Sequence, residues 1–118
     1  MSFTVGNSVV VKPGVIDPDF KNDIDGWQGR IEELYNKEMV SVRWDSKTLK
    51  QMPLDSIIRC ENENLDWELM TLDIKELQIT TERDSTSDTE KMAAYLKLKI
   101  EDDPRLDIDY YDDDDDDD

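Results

Sequence analysis

The chain has 118 residues, a formal net charge of −17, no histidine and one cysteine, Cys60. That length holds one domain and an appendage. The charge argues against direct binding to DNA, RNA or an anionic membrane, whose phosphates repel it. The lone cysteine forbids an intramolecular disulfide, and the lack of histidine removes the commonest general base near neutral pH.

Residues 1–80 carry 15 acids against 9 bases, residues 81–100 balance at 4 of each, and residues 101–118 carry 12 acids against one base. Most of the acidity therefore sits outside the region whose pattern reads as foldable. Met1 to Gly6 lacks both a basic start and an apolar run, and the longest apolar stretch is Val9 to Val11. The expectation is a soluble, cytoplasmic chain.

Taken in order, Ser8 to Lys12 is a short β-branched run closed by the turn pair Pro13-Gly14. Val15 to Asp25 reads as a loop centred on Asp17-Pro18-Asp19. Trp27 to Tyr35 alternates loosely, and Asn36-Lys37 is a hairpin turn. Met39 to Asp45 is the cleanest strand, with Val40, Val42 and Trp44 on one face and Ser41, Arg43 and Asp45 on the other. Thr48 to Met52 reads as a short strand closed by Pro53. Leu54 to Leu65 is helical, capped by Asp55 or Ser56. Trp67 to Leu77 is a strand followed by a single helical turn, and Gln78 to Thr81 is a closing strand. Ser87 and Glu90 have capping-box spacing, which opens a helix at Asp88 that runs to about Glu101, with Met92, Leu96 and Ile100 along one side. A strand reading of Leu96, Leu98 and Ile100 competes; Met, Ala, Leu and Lys in the middle favour the helix.

Several short strands, turns between them and one brief helix predict a mainly β fold, a small closed SH3-like β-barrel. The expected organisation is a barrel over residues 1–80, a linker over 81–89, a helix over 90–103 and a disordered acidic tail over 104–118. Seven adjacent carboxylates, Asp112 to Asp118, repel one another and bury no apolar surface.

The blocks V-K-P-G-V-I-D-P-D-F at 11–20, G-W-Q-G-R-I at 26–31, V-R-W-D-S-K-T-L at 42–49 and L-D-W-E-L-M-T-L at 65–72 follow in order, with Cys60 between the last two. Over about residues 5 to 78 they resemble a family of small, uncharacterised bacterial SH3-like barrel proteins, some labelled calcium-binding. The resemblance implies the barrel and raises calcium. It supplies no reaction, cofactor or partner.

Calcium is tested first against the loop. An EF-hand count started at Lys21 places Asp23, Asp25, Gly26 and Glu32 at positions 3, 5, 6 and 12. It fails at position 1, where an ammonium group repels a cation. A looser metal site from Asp17, Asp19, Asp23 and Asp25 is the alternative, set against their use as turn residues whose carboxylates accept backbone N–H bonds. No cofactor is expected apart from that ion.

Three tryptophans fall in about 80 residues. Trp44 and Trp67 read as core, and Trp27, flanked by glycines, is the candidate for an exposed aromatic that meets a cation. Cys60 has no histidine to activate it and reads as a small buried residue. No glycine-rich phosphate loop appears, so an enzyme is not expected. The expected role is a binding or regulatory module that engages a basic protein or peptide through Trp27, Tyr110, Tyr111 and the carboxylates Asp112, Asp113, Asp114, Asp115, Asp116, Asp117 and Asp118. Calcium binding by the Asp17–Asp25 loop, the tail or both is the alternative, and a nucleic-acid mimic that blocks a DNA-binding protein is the third reading.

Overall fold

Alternation builds the sheet. In the computed structural model, which describes residues 3–17 and 21–106, Val9 and Val11 of β1 (Ser8–Val11) are buried and Val10 less so. The other strands are β2 (Gln28–Leu34), β3 (Met39–Trp44), β4 (Leu69–Asp73) and β5 (Leu77–Ile79). They form one antiparallel sheet in the order β4-β3-β2-β1-β5. Gly29 sits where β2 meets β3, and a Cβ there would lie 2.3 Å from the Arg43 carbonyl oxygen, so only glycine fits this crossing. Ile31 and Glu33 flank a shift of register, a bulge that adds bend to β2.

Among the described residues no pairing joins the edge strands β4 and β5, so the sheet is open where the sequence predicts a closed ring. It is nonetheless curled. Only the 3-10 turn Ile74–Glu76 separates β4 from β5. That connection spans about 14 Å at most, whereas four strand spacings in a flat sheet come to about 19 Å.

Three helices complete the domain: α1 (Ser46–Gln51), α2 (Leu54–Asn62) and α3 (Thr86–Glu101). The sequence reading of Thr48–Met52 as a strand is corrected by α1. Asp45 caps this helix, accepting the Thr48 N–H at 2.9 Å, and local capping outweighs the strand pattern of five residues. α2 starts after Pro53 without a side-chain cap, so neither Asp55 nor Ser56 has the role expected of it. It ends in a Schellman motif. Asn64 takes a left-handed φ of 61°, its N–H donates to the Glu61 carbonyl at 3.1 Å, and the Leu65 N–H donates to the Cys60 carbonyl at 2.7 Å.

α3 begins earlier than its predicted 90–103 bounds. The capping box is Ser85 with Asp88, two residues before the pair singled out in the sequence: Asp88 N–H donates to Ser85 Oγ at 3.1 Å and Ser85 N–H to Asp88 Oδ2 at 3.0 Å. Thr89, Ala93, Leu96 and Ile100 form its buried stripe, and the last three join the same core as Val42, Trp44 and Leu49.

The segment before α3 is fastened by charge. Asp84, with its side chain 4% exposed, accepts from Arg30 Nη2 at 2.6 Å, from the Ser46 N–H at 2.7 Å and from Thr89 Oγ1 at 3.1 Å. Burial alone would raise its pKa; the bonds from Ser46, Arg30 and Thr89 outweigh burial and hold it below the ordinary 3.8. Arg83 grips Asp45 through Nε at 2.8 Å and Nη2 at 3.1 Å, and its own pKa rises chiefly through that bond. After α3, Arg105 bonds Asp103 and Asp55, Asn62 Nδ2 donates to the Arg105 carbonyl at 3.1 Å, and Leu106 packs on the core. The residues leading into 107–118 are thus tied to α2. No helix among the described residues is long and apolar enough to cross a membrane.

Candidate functional site

The loop between β1 and β2 folds back on itself. The Asp17 N–H donates to the Asn22 carbonyl at 2.8 Å, the Lys21 N–H to the Asp17 carbonyl at 2.9 Å, and Ile16 bridges Asp23. Lys21 has a left-handed φ of 63°, and Ile24 is fully buried. This brings Asp17 and Trp27, ten residues apart, to one rim of a groove of about 480 Å³. After the Schellman turn at Asn64, Leu65, Asp66 and Trp67 line the same groove.

Four aromatic residues are among those that line the groove. Trp44, 1% exposed, packs edge-on against the half-buried Trp27 with ring centroids 5.2 Å apart at 86°. Its Nε1 is buried and has no hydrogen-bond partner among the described residues, an uncommon state for a native donor. Trp67 is 5% exposed and anchored, its Nε1 donating to Glu61 Oε2 at 2.7 Å. Tyr35, 51% exposed, follows β2 and also lines the groove. Two carboxylates join them: Asp17, itself buried, and Asp66, exposed and with Oδ1 accepting the Glu68 N–H at 2.8 Å.

A second groove, between β2, β3 and α3, holds Arg30, Arg43, Glu32 and Glu68, but these charges are already paired, Arg30 with Asp84 and Arg43 with Glu32 and Glu68. Arg43 Nε donates to Glu32 at 3.0 Å and its Nη1 to Glu68 at 3.2 Å; the hydrogen bond to Glu32 is the main reason its pKa rises. The residues that line the aromatic groove include two carboxylates and no lysine or arginine.

Of the residues singled out in the sequence, Trp27 and Asp17 meet at this groove. Asp23 and Asp25 do not line it; Asp23 Oδ1 accepts the Asp25 N–H at 3.1 Å, the turn role weighed against calcium. Among the described residues no group of three or more acidic, cysteine or histidine side chains is placed to hold a metal ion. Asp19, Tyr110, Tyr111 and Asp112 to Asp118 lie outside the described residues. Trp44 and Trp67 are core residues that also wall the groove, and Cys60 lies half-buried on the α2 side. The sequence reading missed Tyr35 and Asp66. The signal for Asp66 is its place beside Trp67, directly after a helix stop; Tyr35 sits next to a hairpin turn and carries no comparable mark.

No family model, no curated protein and no solved structure matches this chain.

Proposed function

We propose that this chain is a non-catalytic binding module whose aromatic groove receives a basic segment of a protein partner, while its acidic surface and polyaspartate run speed the encounter. The observation that carries the reading is the pairing of Trp27 and Tyr35 with Asp17 and Asp66 around one groove. Aromatic faces attract a lysine or arginine head group by cation–π contact, and adjacent carboxylates add Coulomb attraction. A chain of net charge −17 steers basic partners towards it and repels phosphates. In fold, the path of five antiparallel strands with β5 returning to pair β1, together with the curl that the short β4–β5 connection requires, supports an SH3-like barrel.

The test is tryptophan fluorescence and amide-shift titration of the full chain with octalysine and with octaglutamate. Octalysine is expected to saturate, octaglutamate to give no change, and Asp66→Asn to weaken octalysine severalfold. Asparagine at 66 still accepts the Glu68 N–H, so the fold is kept while the charge is lost. Trp27→Leu is expected to cost about fivefold, the worth of one exposed cation–π contact. Equal affinity in both variants would refute the groove as the binding site.

A further inference from the structure

β4 is an edge strand, and its pairing with β3 determines which of its backbone groups are in use. The Trp44 N–H donates to the Glu68 carbonyl at 3.0 Å and the Ile74 N–H to the Glu38 carbonyl at 2.8 Å. The register between them pairs Arg43 with Leu69, Val42 with Met70, Ser41 with Thr71, Val40 with Leu72 and Met39 with Asp73. Bonded and non-bonded pairs alternate along an antiparallel ladder. Met70 and Leu72 therefore bond to β3, whereas Leu69, Thr71 and Asp73 turn their N–H and C=O groups outward. The Asp73 N–H is taken by Glu76 Oε1 at 3.2 Å. Leu69 and Thr71 are left with two donors and two acceptors that no bond among the described residues uses.

Those groups border the aromatic groove. The side chains of Leu69 and Thr71 point to the opposite face of β4 from that of Met70, yet all three residues line it. A channel that touches both faces of a strand runs along its free edge. Ser56, Ile57 and Cys60 of α2 line it as well. An edge with open hydrogen bonds beside a walled groove is the setting for strand addition.

We infer that the basic partner enters as an extended segment that adds to β4 as a sixth strand, hydrogen-bonded to Leu69 and Thr71, with alternate side chains bringing cations to Trp27 and Asp66. This rests on the groove being the partner site. Charge selects the occupant: a second copy would bring two chains of net charge −17 together, whereas a basic segment is drawn in.

The experiment uses the full labelled chain and an acetylated, amidated peptide of four Lys-Val repeats, with two isomers N-methylated at every Lys or at every Val. Only one alternating set of peptide N–H groups faces β4, so one isomer is expected to bind on the order of tenfold more weakly and the other to match the parent. Exchange of the Leu69 and Thr71 amides is expected to slow by about tenfold or more in the complex. If the parent shifts Trp27 and Asp66 but both isomers bind alike and these two amides exchange unchanged, strand addition is overturned and the groove stands. If the parent does not bind, both fall. Protection of Leu69 and Thr71 without peptide that grows with protein concentration would assign the edge to a second copy and overturn the inference.

Discussion

Asn64 sets the rim of the groove by a backbone choice. Its φ of 61° lets α2 stop and turn, so that Leu65, Asp66 and Trp67 return beside the groove. A β-carbon in that region costs roughly 1–2 kcal/mol, less for asparagine, and glycine escapes the cost. Asn64→Gly is therefore expected to leave urea stability unchanged or raise it by about 0.5 kcal/mol, and Asn64→Val to lower it by about 1 kcal/mol or more. Asp84 contributes to stability on the acid side. Its folded pKa is below the ordinary 3.8, so the stability it contributes is complete above that value and is lost as pH falls through the lower folded pKa. Urea midpoints measured from pH 5 down to pH 2.5 should fall less steeply in Asp84→Asn than in the parent, from a lower starting stability. Parallel profiles would show that Asp84 is not the linked group.

At the level of elements, hydrophobic alternation carried most of the readable information. Val40, Val42 and Trp44 share the buried face of β3, and the stripe of α3 is legible in Leu96 and Ile100. Elements decided by polar bonds were less legible. Thr48 is a strand-type residue by composition, but Asp45, three positions earlier, holds its N–H and makes a helix there. Ser85 and Ser87 are equally good caps in sequence; Asp84, bonded to Arg30 and Ser46, fixes the chain so that Ser85 is used. The groove was half legible for a related reason. Trp27 and Asp17 sit on one loop and could be named, whereas Tyr35, Asp66 and the free edge of β4 reach them only through tertiary folding. Asp45 also offers a direct test. It is 3% exposed, caps α1 and receives two bonds from Arg83. Asp45→Ala is expected to destabilise by about 2–4 kcal/mol, and Asp45→Asn by less, since the amide oxygen still caps. Thermal melts of the two variants check the order.

For the whole molecule, charge is separated from packing. The core draws Val42, Trp44, Leu49, Leu96 and Ile100 from sheet and helices alike, while residues 101–118 carry 12 acids against one base. Arg105 and Asn62 fasten the start of that acidic stretch to α2, the helix that also walls the groove. Deleting Asp112 to Asp118 is expected to slow octalysine association severalfold at low salt with little change in the dissociation rate, and the gap should close as ionic strength rises. Stopped-flow tryptophan fluorescence reads both rates. An unchanged on-rate at low salt would remove the tail from the account.

The most direct measurement is a residue-by-residue amide and indole shift titration of the full labelled chain with the Lys-Val peptide, at low and at high salt. Saturable one-to-one shifts are expected at Trp27, Tyr35, Asp66 and the β4 edge, weaker at high salt. Shifts confined to residues 107–118, or none, would contradict it: the groove would then bind no basic segment, and the acidic stretch would act alone.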